Sequence, residues 1–226
     1  MALPRTSVMM ALWSLALACQ PLMAADEKKS EGVVVDKDKK TITVPAKIAL
    51  RKLPNLADIY PLEVVACHPH PKGKKAHETV VTIDVAPSEI HKAVESLGLK
   101  AGKPARGEDA VAAGPEVVLS LEIPGPGGTT RKLGVEKTMV DKKTGKTLPK
   151  LKWHFTGSAS KKTDPDKPEI YAADDSGTLI SIFPVTDETV FQSSLTLKDE
   201  KLIKLETNPK VLPEIGTAVK LLIEVP

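Results

Sequence analysis

Cys67-His68-Pro69-His70, followed seven residues later by His77, is the densest run of potential metal ligands in the chain. A thiolate beside imidazoles suits Zn or Cu. Pro69 and Pro71 stiffen the segment, and His77 lies where the next β-rich run begins. A hairpin would therefore bring Cys67, His68, His70 and His77 together as a metal site. The spacing matches no established zinc pattern, and a structural arrangement stands beside the metal one: Cys67 and His77 inward, His68 and His70 on a solvated loop. Cys67-His68 is also the second half of a C-x-x-C-H haem attachment, but Val64 stands where the first cysteine belongs. No cofactor beyond a candidate Zn or Cu is indicated.

Other constellations are weaker. His77 is a potential base in a cationic neighbourhood with Lys74 and Lys75. On a strand, adjacent His77 and Glu78 would point to opposite faces and share no site. Trp153 and Phe155 are expected in the core with His154 opposite, and His91 is expected on the helix surface, paired with Glu95 one turn on. Ser158 with Lys161 and the Lys143-Thr144-Gly145 triplet resemble a penicillin-recognising signature, yet Ser158 enters a polar loop and opens no helix. Gly125-Pro126-Gly127-Gly128 precedes a strand, so it offers phosphate no helix N-terminus. Asp164, Asp166, Asp174 and Asp175 lack the glycine turn and distal glutamate of a Ca²⁺ loop. No catalytic set is assigned.

The elements that must position these residues follow from pattern. The chain has 226 residues, 41% hydrophobic and 27% charged, with 19 Pro, 14 Gly and only 3% aromatics, which favours short elements joined by fixed turns. Residues 33–35 and 41–44 read as a hairpin across a charged link, and 62–67 as a further β-rich run. Thr79, Val81, Ile83 and Val85 alternate as a half-buried strand does; so do Val117, Leu119, Leu121 and Ile123, and Val219, Leu221, Ile223 and Val225. Ile90, Ala93, Val94 and Leu97 fall on one helical face between Pro87 and the Gly98 stop. The expected fold is mainly β (α+β): an antiparallel sandwich- or barrel-like sheet of about ten strands with one packed amphipathic helix near 87–97.

The first 25 residues carry one charge, Arg5, then an apolar run over 8–19 and the small pair Ala24-Ala25. This is the anatomy of a secretory signal peptide, and the run is too short to span a bilayer. Cleavage is expected after Ala24 or Ala25. Alternatively, Leu15-Ala16-Leu17-Ala18-Cys19 is a permissive lipobox in which Cys19 would carry lipid. The expected organisation is a signal peptide over 1–25, a flexible polar leader over 26–31 and a single domain over 32–226, with no transmembrane segment in the mature chain. Either route places the protein outside the cytoplasm, periplasmic or extracellular. Cys67 is then the one remaining cysteine, so no internal disulfide forms. A net charge of +3 gives no ground for nucleic acid.

Four strings, KAHET over 75–79, PSEIHKAVESLG over 87–98, KWHFTG over 152–157 and GTLISIFPVTDE over 177–188, together resemble the YdjY-domain proteins, exported bacterial proteins seen notably in planctomycetes. The similarity runs from about residue 31 to the C-terminus. It implies an extracytoplasmic bacterial domain and brings no established activity. Some members carry cysteine-rich iron–sulfur segments, which this chain lacks. Three functions follow as expectations. The first is a non-catalytic module binding a small ligand or an envelope protein. The second is a periplasmic metal-binding or redox-related protein using Cys67, His68, His70 and His77. The third is a hydrolase assembled from distant strands around His77 or His154. The pattern sets no oligomeric state.

Overall fold

The computed structural model describes Met1 and residues 32–166 and 168–226. The expected signal peptide, Cys19 and the polar leader lie outside the described residues.

Alternation of apolar and polar residues builds the central sheet. In order, the strands are β1 (Val34–Asp36), β2 (Thr41–Ile48), β3 (Val64–Cys67), β4 (Val81–Ile83), β5 (Glu116–Pro124), β6 (Thr130–Gly134), β7 (Met139–Asp141), β8 (Trp153–Phe155), β9 (Ser160–Lys161), β10 (Ile170–Tyr171), β11 (Thr178–Ser181), β12 (Phe191–Ser193), β13 (Leu205–Thr207) and β14 (Ala218–Glu224). Ile42, Val44, Ala46 and Ile48 line one face of β2 and meet Ile223, Leu221 and Val219 of β14, which in turn meet Leu119 and Leu121 of β5. On the other flank Ala46 and Ile48 meet Ile83 and Val81 of β4. These inward rows form one buried core.

Because β2 pairs with both β14 and β4, the order β2-β14-β5-β8-β12-β11-β3-β4 closes into an eight-stranded barrel, which removes the exposed edges of an open sheet. β1 and β6 extend it from β2 and β5. The junctions are antiparallel except β3–β4 and β11–β12, which are parallel. A parallel pair needs a long crossover, and residues 68–80, the Cys-His-Pro-His segment, are the crossover from β3 to β4. Topology, then, explains why that loop is long and turn-rich. Two small ribbons, β7–β13 and β9–β10, flank the barrel.

The packed helix is α1 (Pro87–Ser96), started by proline and burying Ile90 and Val94. Two shorter helices accompany it, α2 (Ala172–Ser176) and α3 (Leu197–Leu202). Pattern reading passed over both. At five and six residues each is too short to show a helical period, and α3 is held by a capping box between Thr196 and Asp199.

Candidate functional site

The crossover loop places its four candidate ligands in four different surroundings. Cys67 ends β3 with its side chain fully buried; its thiol donates to the His68 carbonyl at 3.1 Å, and burial pushes its pKa up to about 12. His68 is 1% exposed. Its Nδ1 lies 2.9 Å from the Ile83 carbonyl, so Nδ1 carries the proton and Nε2 the lone pair, and Nε2 has no partner among the described residues. Two glycines make room for His68: a Cβ on Gly73 would sit 1.9 Å from its carbonyl oxygen, and one on Gly177, at φ +72°, would sit 2.9 Å from its Cβ and 3.0 Å from the ring at Cδ2. His70 is exposed on the loop.

His77 lies in a 3-10 turn, Ala76–Glu78, with the strand starting later at Val81. The expectation that His77 and Glu78 diverge is therefore corrected: on a turn they converge, with His77 Nε2 3.3 Å from Glu78 Oε1. Among the described residues no group of three or more His, Cys, Asp or Glu side chains is arranged to hold a metal ion. The structural arrangement, with His77 inward and His68 on a solvated loop, also needs correction, because His68 is buried while His77 is half-buried against the edge of the Tyr60 ring.

Burial holds the His68 pKa below its ordinary value of 6.5. Since the unfolded chain takes up that proton first, stability is expected to fall as pH drops below about 6.5 and to level off below the native value. Urea denaturation at stepped pH checks this: His68→Gln should flatten the acid-side slope, and an unchanged slope would remove His68 as its source.

The remaining histidines are packing groups. Trp153 and Phe155 are buried as expected, and His154 points the other way, its Nδ1 3.0 Å from the Gly114 carbonyl. His91 does pair with Glu95, at 3.3 Å, but it is no surface ornament. Its Nδ1 lies 2.7 Å from the Tyr171 hydroxyl, and its ring meets Phe155 and Tyr171 edge-on. β12 and β11 separate β8, which carries His154, from β3 and its crossover with His77, so the barrel does not unite the two in a hydrolase-like set.

A concavity lies elsewhere on the barrel. A groove of about 1200 Å³ is bounded by Arg51, Lys52, Asp58 and Ile59 on one side and by Val140, Lys142, Glu206 and Lys210 on the other. Its floor is the β7–β13 ribbon, where Val140 faces Glu206 across the strands while Met139 and Leu205 turn into the core. Its wall is the 51–60 segment, pinned by one side chain. Arg51 Nη1 donates to the His77 carbonyl at 2.8 Å and Nη2 to the Tyr60 carbonyl. Leu62 N–H donates to the Leu205 carbonyl at 2.8 Å, tying the end of this segment to β13.

Arg51 is 7% exposed yet borders this groove and an adjoining hollow reaching to Leu212 and Ile215. Desolvation lowers its pKa, opposed at longer range by Glu78 and Glu206. Under the wall, Lys75 bridges Glu63 at 2.5 Å and Glu78 at 2.7 Å. Burial raises the Glu78 pKa against the pull of Lys75.

Comparison with known proteins bears on the whole barrel. The model of the YdjY domain matches residues 33–224, from β1 through the last residue of β14. The chain belongs to the YdjY domain family. No curated protein and no solved structure matches it.

Within this YdjY domain the four strings of the sequence resemblance fall on the barrel strands, the helix and the turn that contact one another or the Cys67–His68 and Arg51 positions. The 75–79 string forms the turn whose His77 carbonyl holds Arg51. α1 from the second string meets β8 from the third through His91 and Phe155. The fourth begins at Gly177, which packs on His68, and supplies β11, whose Thr178 lies opposite Cys67. No helix among the described residues is long and apolar enough to cross a membrane.

Sequence reading missed the groove because its walls come from three distant stretches. In sequence Arg51 is one half of an Arg-Lys pair between Leu50 and Leu53, which does not mark it as a site.

Proposed function

We propose that this YdjY domain is a non-catalytic binding module, exported across the cytoplasmic membrane, whose ligand occupies the groove over the β7–β13 ribbon. The observation that carries the reading is the groove itself: a concavity floored by a paired strand ribbon, with a wall held by a buried arginine. Ligand sites tend to be concave, largely preformed and lined by apolar groups with a few placed polar ones. Ile59, Val140 and Pro209 supply apolar surface, and both signs of charge stand around them. The single basic residue Arg5 and the apolar run that follows it in the N-terminal sequence support export, and an envelope protein or a small molecule outside the cytoplasm is the corresponding partner.

The test is amide-shift mapping by NMR with a set of neutral, cationic and anionic small molecules and short peptides. Binders should shift residues 51–59, 140–147 and 206–210. Binders that cluster at the His91–Tyr171 end of the barrel, or a set with no binder in the groove, would overturn the reading.

A further inference from the structure

We propose that the groove takes its ligand by a carboxylate seated on the Arg51 guanidinium, an inference that rests on the groove being the binding site. Arg51 is a buried cation with no ion pair among the described residues: both of its hydrogen bonds go to neutral carbonyls, those of His77 and Tyr60. A guanidinium carries five N–H donors, so three remain. An unpaired charge in a desolvated position is unfavourable and gains most from an anion brought to it. The planar fork of donors matches the two oxygens of a carboxylate.

The surrounding charges are compatible with an incoming anion. Lys52, Lys142 and Lys210 border the same groove. Of its carboxylates, Glu206 is already held by Lys142 at 2.8 Å. Asp141 is engaged by the Lys143 and Lys204 amides and the Thr144 hydroxyl. Asp58 stands exposed at the rim. Beneath, Glu78 is tied to Lys75. The groove thus offers a fixed fork at its inner wall and lysines toward solvent, an arrangement that draws in a carboxylate and then orients it.

A carboxylate arrives on a polypeptide terminus or on a small organic acid, and two matched pairs separate these sources. N-acetyl-trialanine and succinate are titrated against their amides, with affinity and the Arg51 Nε–H resonance as readouts. At least one acid is expected to bind tenfold or more tightly than its amide and to shift that resonance; preference for the peptide acid assigns a chain terminus, preference for succinate a small acid. Lys210→Glu, a change at an exposed side chain, should weaken the acid about threefold with the thermal midpoint unchanged. Arg51→Lys should weaken it tenfold or more. Acids and amides binding the groove equally would overturn the carboxylate assignment and leave the groove reading standing. Absence of acid binding, or acid-induced shifts confined to other parts of the barrel, would overturn the assignment as well; the fragment mapping then decides the groove reading separately.

Discussion

Phe155→Ala is expected to lower the unfolding free energy by about 3–5 kcal/mol, the range for emptying a fully buried aromatic site. Phe155 is the inward residue at the end of β8. Its ring lies 5.7 Å from that of Phe191 on β12 and 4.9 Å edge-on from His91 of α1. It therefore touches the barrel wall and the helix packed on it at once. The backbone on either side is tied down, with Phe155 N–H donating to the Pro115 carbonyl and its own carbonyl accepting from Gly102 N–H. Such a site collapses poorly, which favours the upper part of the range. Urea denaturation with an unchanged m-value is the measurement, and a loss below about 1 kcal/mol would show that α1 and the barrel are not coupled through this ring.

Glu136→Leu ranks second, at about 2–5 kcal/mol. Glu136 is 7% exposed in a 3-10 turn that follows β6, and one of its oxygens, Oε1, accepts from both Trp153 Nε1 at 2.9 Å and Leu151 N–H at 3.1 Å. Leucine fills the space but leaves the buried Trp153 indole N–H unpartnered, at a cost of about 1–3 kcal/mol, and the half-buried Leu151 N–H as well, at a smaller cost. Glu136→Gln keeps a carbonyl oxygen at that position and is expected to lose less than half as much. Equal losses for the two variants would mean that the charge, and not the acceptor, matters at this site.

Trp153 also shows how far the sequence could be read. Its inward placement followed from alternation with His154 and Phe155, and so did the rows Val117 to Ile123 and Val219 to Val225, because period-two patterning is a local property. The helix at 87–97 was legible for the same reason, its stripe being seen over several turns. Barrel closure was not, since β2 pairing with β4 is a contact between strands about forty residues apart that neither strand encodes alone. The acceptor for the Trp153 indole was invisible too: Glu136 reads as one more surface carboxylate until the turn folds it inward.

The histidines fared unevenly. The pairing of His91 with Glu95 was expected from helical spacing, whereas its bond to Tyr171 depends on a residue eighty positions away. The Cys67, His68, His70, His77 cluster drew attention by density. Along the path from β3 to β4 its members sit in different surroundings, Cys67 and His68 buried, His77 half-buried and His70 exposed. Arg51 had the reverse history. Nothing near it in sequence suggests a site, and its position arises only when the 51–60 segment, the 76–78 turn and β13 assemble.

The most direct test of the groove as the binding site is to block it without unfolding the barrel. Val140 is half-buried on the groove side of the β7–β13 ribbon, opposite the core-facing Met139, and Val140→Arg would fill the floor with a long charged side chain. Amide-shift mapping with the same set of small molecules and peptides is then run on both proteins. The structure predicts shifts at 51–59, 140–147 and 206–210 in the unaltered chain that disappear in the variant while its thermal midpoint stays within a few degrees. Ligand shifts that persist in a folded Val140→Arg protein, or that never involve these three segments, would contradict the assignment of the groove as the binding site.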